Sequence, residues 1–94
     1  MSAYQEFMDL INQDVNEISI DILRSIERGC NSSKYTITTH RKAKILIVKE
    51  LLIGKMFLDH NILTRITWKT DKKDNDKYIV EINYWKNVND DNVE

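Results

Sequence analysis

The chain has 94 residues, of which 41% are hydrophobic and 31% charged, and a formal net charge of −1. That is one core's worth of polypeptide with ordinary globular composition, which excludes a pair of domains, an intrinsically disordered chain and a protein that attracts polyanions by its global field. No apolar run approaches the roughly 18 residues of a membrane span, and Glu6, Asp9, Asp14 and Glu17 stand where a secretory signal would be basic and then apolar, so neither is expected.

The first element is a helix. Ser2-Ala3-Tyr4-Gln5 has the form of a capping box, with Ser2 able to accept from the backbone at Gln5 and Gln5 able to reach back. Tyr4, Met8, Ile11, Val15, Ile18 and Ile22 then recur at alternating spacings of four and three, a helical stripe that Gly29 ends. Ile18-Ser19-Ile20-Asp21-Ile22 alternates as a strand would, but Leu23 and Ile26 continue the helical pattern and decide for helix, with a candidate break at 12–16.

Cys30-Asn31-Ser32-Ser33 is turn chemistry, and the β-branched and aromatic run Lys34–Thr39 after it predicts a strand. Thr38 or Thr39 can cap a second helix over Arg41–Asp59. Its apolar residues spread over about half the helical circumference, with Ile45, Leu52 and Met56 as a second ridge, so it needs burial on two sides. Gly54 in its interior predicts either a close neighbour or a break.

Residues 62–70 and 78–86 each alternate with one apolar face, and the polar link Asp71–Asp76 joins them as a hairpin. The predicted register has partner numbers summing to 146. It places Ile66 opposite Val80, Trp68 opposite Tyr78, Ile62 opposite Tyr84 and, on the outer face, Arg65 opposite Glu81. The fold expected is α+β, helix-strand-helix-strand-strand, with two helices on one face of a three-stranded, largely antiparallel sheet. It forms one domain over residues 1–86, followed by a frayed polar tail, 87–94.

One cysteine, Cys30, cannot form an internal bridge, so a reducing, cytoplasmic setting is expected. Ile, Lys and Asn supply 32 of the 94 residues, all read by A/T-rich codons, a bias common among small phage and mobile-element proteins. Reactive groups do not cluster. His40 and His60 lie at opposite ends of the second helix, about 30 Å apart, and with Cys30 they cannot make a four-ligand metal site. Asp71, Asp74 and Asp76 are interleaved with Lys72, Lys73 and Lys77 and lack the glycine and later glutamate of a calcium loop. No phosphate-cradling or metalloprotease motif occurs, so no enzyme activity, cofactor or metal is expected.

Charge is placed unevenly: −4 over residues 1–33, +6 over 34–70 and −3 over 71–94. Lys34, Arg41, Lys42 and Lys44 surround the junction of the first strand and second helix, while Arg65 and Lys69 project from the second strand beside Trp85 and Ile79. Three readings follow: an internal dipole with the acidic first helix, a nucleic-acid or other polyanion contact, or an acidic protein partner; the mixed aromatic and cationic patch around Trp85 is of the kind enriched at protein interfaces, and a base could also stack there. A winged-helix arrangement shares only the element order, since a break at Gly54 would leave a recognition helix too short and apolar for a major groove. The expected function is that of a small non-enzymatic protein-binding regulator or inhibitor that occupies a macromolecular partner. The alternative is a nucleic-acid-binding regulator using segment 34–70. A homodimer is expected from the excess apolar surface of the second helix and the heptad-like spacing of the first.

Overall fold

A computed structural model describes residues 2–39 and 41–87 of the chain. The elements follow the expected order: α1 (Ala3–Glu27), β1 (Ser32–Thr38), α2 (Lys42–His60), β2 (Ile62–Thr70) and β3 (Lys77–Lys86). His40 and residues 88–94, most of the expected tail, lie outside the described residues.

Half of the capping box forms. The Ser2 hydroxyl accepts the Gln5 N–H at 3.1 Å, but the Gln5 side chain donates forward to Asp9 at 2.9 Å instead of reaching back. α1 then runs unbroken for 25 residues, without the candidate break at 12–16. Gly29, at φ +86°, ends it in a Schellman arrangement: its N–H donates to the Ile26 carbonyl and that of Cys30 to the Ser25 carbonyl, both at 2.9 Å. The stripe is buried at Ile11, Val15, Ile18 and Ile22, whereas Tyr4 is exposed at the helix start. Those four residues belong to the domain's own core, so the first helix does not offer them as a seam for a second copy.

The sheet order is β1-β3-β2, with β3 antiparallel to both neighbours. The edge strands therefore run parallel with β3 between them, a split β-α-β unit in which α2 is the crossover. Both helices cover one face. Tyr78, Val80, Ile82 and Tyr84 on β3, Ile62 and Ile66 on β2 and Ile37 on β1 meet the helical residues Ile45, Val48, Leu52 and Met56 there.

The hairpin register departs from expectation. Ile66 pairs with Ile82, Trp68 with Val80 and Ile62 with Lys86, so partner numbers sum to 148. The inward set is kept, because a two-residue shift preserves facing. Arg65 consequently faces Asn83, and Glu81 faces Thr67. The displaced register follows from the link: Asp71 accepts the Lys73 N–H at 2.8 Å, Asp74 accepts the Asp76 N–H at 2.9 Å, and the Lys77 N–H donates to the Asp74 carbonyl at 3.1 Å. These consecutive side-chain turns form the loop 72–76, and beyond the last rung, Thr70 with Tyr78, the Asp71 N–H still donates to the Lys77 carbonyl at 2.9 Å.

Asn87, the last described residue, donates its N–H to the Asn61 carbonyl at 3.0 Å and its side-chain amide to the Asn61 side-chain oxygen at 3.2 Å. Asn61 itself takes the left-handed conformation that ends α2.

Gly54 marks neither a break nor a contact. α2 is continuous through it, and a Cβ there would meet nothing within 4 Å. Gly54→Ala is therefore expected to raise stability by about 1 kcal/mol, read as a higher urea midpoint at unchanged m-value. On the inner face of β2 the Thr64 hydroxyl is buried without a hydrogen bond among the described residues. Thr64→Val should add about another 1 kcal/mol in the same assay, because it replaces an unsatisfied buried polar atom with a methyl of similar size.

Candidate functional site

The cations of the middle segment do not converge. Lys34 lies on the open face of the sheet, 3.8 Å from Glu81 on the neighbouring strand. Arg41, the N-cap of α2, places its guanidinium 5.7 Å from the centre of the Phe7 ring. Lys42 lies 5.1 Å from the centre of the Trp68 ring, which packs edge-on against Tyr78. Lys44 meets Asp14 of α1 at 3.0 Å in a pair that is largely shielded from solvent. Residues 42 and 44 are about 200° apart on a helical wheel, so their side chains leave α2 in nearly opposite directions. A polyanion at this junction would have to compete with a ring or carboxylate for each of Arg41, Lys42 and Lys44. The internal-dipole reading has one direct contact, Lys44 to Asp14.

Arg65, Lys69 and Trp85 share the uncovered face of the sheet but are spread along it. Odd-numbered residues of β2 and β3 lie on that face; Trp85 pairs with Leu63, Arg65 is two rungs from it, and Lys69, paired with Ile79, is six rungs from it, about 20 Å along the strand. Trp85 is 49% exposed. The patch read from the sequence is thus divided: Arg65 neighbours Trp85, while Lys69 and Ile79 lie toward the other end of the strands beside Thr67 and Glu81.

A larger feature lies on α2. Its inward side is Ile45, Val48, Leu52 and Met56, yet Leu46, Leu51, Phe57 and Leu58 remain 44, 37, 44 and 80% exposed. On a helical wheel Leu46 and Phe57 fall in one row and Leu51 and Leu58 in another, with Ala43, Glu50 and Gly54 between them. This is an apolar ridge on a helix whose other side already anchors the core. Scattered single leucines are ordinary, whereas these four large apolar residues share one outward surface. The two-sided demand of α2 was legible in its sequence; which four residues stay uncovered was not.

α1 and β1 border a groove of about 420 Å³ lined by Asp14, Glu17 and Asp21 and by Thr36 and Thr38. Its floor includes the buried Ile18 and Ile37. The Tyr35 hydroxyl crosses one end and donates to Asp21 at 2.7 Å. Burial, reinforced by that bond to a carboxylate, pushes the Tyr35 phenol well above the ordinary tyrosine range. The folded state thus holds the phenolic proton more tightly than the unfolded state does. The stability this confers is complete below the unfolded value near about pH 10 and is lost as pH rises beyond it. Between about pH 9 and about pH 12, urea titrations are expected to show wild-type stability falling more steeply than that of Tyr35→Phe. The acidic spacing at residues 14, 17 and 21 was the signal in the sequence, and its meaning depended on finding β1 beside it.

Compared with known protein families, curated proteins and solved structures, the chain matches none at a significant level. Among the described residues no group of three His, Cys, Asp or Glu side chains is placed to hold a metal ion, and no helix is long and apolar enough to cross a membrane. Cys30, in the turn after α1, and His60, the last residue of α2, are both exposed. Three described surfaces stand out: the apolar ridge of α2, the uncovered sheet face with Arg65 and Trp85, and the acidic groove beside the edge of β1.

Proposed function

We propose that this protein is a small non-enzymatic regulator or inhibitor that works by occupying a protein partner, with the outward ridge of α2 as the principal contact. The observation that carries this reading is the exposure of Leu46, Leu51, Phe57 and Leu58 on a helix otherwise anchored in the core. Aromatic and aliphatic side chains grouped on a rigid element supply the desolvated centre of a protein interface. In the absence of a partner the same ridge pairs with a second copy, making the free form a weak homodimer. The lone cysteine supports a reducing, cytoplasmic setting, and the A/T-rich codon bias supports a phage or mobile-element origin.

The test is affinity capture from the native host with and without nuclease, using wild type, Leu58→Glu and Arg65→Ala/Lys69→Ala. Capture that resists nuclease, is lost in Leu58→Glu and persists in the double variant is the expected result. Nuclease-sensitive capture lost in the double variant would overturn it in favour of single-stranded nucleic acid stacking on Trp85.

A further inference from the structure

We infer that the groove between α1 and the free edge of β1 is a second docking site, which takes an extended, cationic segment of a partner protein as an added strand. The inference rests on the protein-binding reading above but concerns a different surface.

The argument starts from the hydrogen-bond pattern of the sheet. β1 and β3 pair with residue numbers summing to 115. At the two ends of this ladder the Tyr84 N–H donates to the Asn31 carbonyl at 3.0 Å and the Thr39 N–H to the Asp76 carbonyl at 2.7 Å. In an antiparallel pair the bonded residues alternate, so the odd-numbered residues of β1 turn their backbone groups to β3. Lys34, Thr36 and Thr38 turn theirs to the outer edge, where no backbone hydrogen bond from a described residue meets them. Edges of this kind are usually blunted by proline, a bulge or several lysines. β1 has an unbroken register over seven residues, no proline and one lysine.

What distinguishes this edge from that of β2 is its setting. Thr36 and Thr38, whose side chains share the uncovered sheet face with Ile79 and Lys77, border the groove along the strand edge, and Asp14, Glu17 and Asp21 of α1 and Lys44 of α2 border it on the helical side. α1 and β1 run in opposite directions here, since Asp21 lies at Tyr35 while Asp14 and Lys44 lie toward Thr38. The three carboxylates span seven residues of helix, about 10 Å. Alternate side chains of an added strand recur every ~6.7 Å on one face, so two inward lysines or arginines fall within reach of them. Their aliphatic stems would cover Ile18 and Ile37 while their charged ends meet carboxylates that each keep a free acceptor position beside their present partners, Lys44 on Asp14, the Gln13 amide on Glu17 and the Tyr35 hydroxyl on Asp21. Backbone pairing supplies affinity and the carboxylates select the sign of the partner's charge. Residues 87–94 of the chain carry Asp90, Asp91 and Glu94 and no lysine or arginine, so they lack the chemistry this site selects.

The probe is a fluorescein-labelled, end-blocked heptapeptide alternating lysine and valine. Its controls are the same peptide with glutamate for lysine and the lysine peptide N-methylated at alternate residues, once in each of the two phases. Anisotropy at about 0.15 M salt is expected to give micromolar binding of the lysine peptide. Glu17→Lys should weaken it at least tenfold, and so should N-methylation in one phase but not the other. Thr36→Pro removes an outward N–H without breaking the β1–β3 ladder and is expected to abolish binding; Glu17→Lys, at an exposed helix position, guards against a folding failure of the proline variant. Amide exchange should slow at Lys34, Thr36 and Thr38. Equal binding of both N-methylated peptides, or unchanged exchange at those amides, would overturn the added strand. If no peptide binds while Leu58-dependent capture persists, the groove is refuted and the α2 reading stands.

Discussion

Replacing Ile82 with alanine is expected to destabilise the domain by about 3–4 kcal/mol, close to half the total stability of a chain this size. Ile82 has no exposed surface and lies on β3, the strand hydrogen-bonded on both sides. Its neighbours across the ladders are Ser33 and Ile66, and both helices close over it from the inner face. Truncation removes three carbon atoms where neither the sheet nor the helices can move in without losing contacts of their own, so transfer and cavity costs add. The control is Ile20→Ala, at a residue of the same type that is 49% exposed on α1, expected to change stability by less than about 0.5 kcal/mol. Urea unfolding by circular dichroism measures both. Equal losses at the two positions would show that the core does not centre on β3.

The second large effect concerns assembly. Light scattering from about 1 to about 100 µM is expected to show a mass rising from near 11 kDa toward twice that value, and Leu58→Asp should hold it near 11 kDa throughout. The exposed fractions of Leu46, Leu51, Phe57 and Leu58 make a patch on the order of 400 Å², within the range of the largest apolar patches on soluble monomers. Two copies joined through it bury about 1,000 Å² in all, at the low end for specific interfaces, which is why a weak dimer is expected rather than an obligate one. Leu58 is 80% exposed, so the aspartate variant should keep its unfolding midpoint at low concentration. A mass near 11 kDa for wild type at every concentration sinks the dimer and leaves the ridge to a different protein.

The two proposed contact areas would respond differently to salt. Glu50 is the one charged residue between the two apolar rows of the α2 ridge, so its contacts should be nearly salt-independent, while the groove lined by Asp14, Glu17 and Asp21 weakens as its carboxylates are screened.

The amino-acid sequence by itself determined the five elements, their order and which side of each strand is buried. Those properties follow from periodicity: the spacing from Ile11 to Ile22 suits one helix face only, and the alternation through Tyr78, Val80, Ile82 and Tyr84 suits one sheet face only. Ser2 and Gly29 were legible as helix ends because their roles are local, a hydroxyl three residues from its donor and a backbone that tolerates positive φ. Tertiary structure decided what depends on partners distant in sequence. The hairpin register shifted by two because the Asp71 and Asp74 turns set the length of the link, a choice that leaves the alternation unchanged. The strand order put β3 in the centre and left β1 with a free edge beside α1, which turned three spaced carboxylates into the wall of a groove. It also dispersed Arg41, Lys42 and Lys44 onto Phe7, Trp68 and Asp14, because neighbours in sequence on a helix point in different directions and each meets the element that lies there.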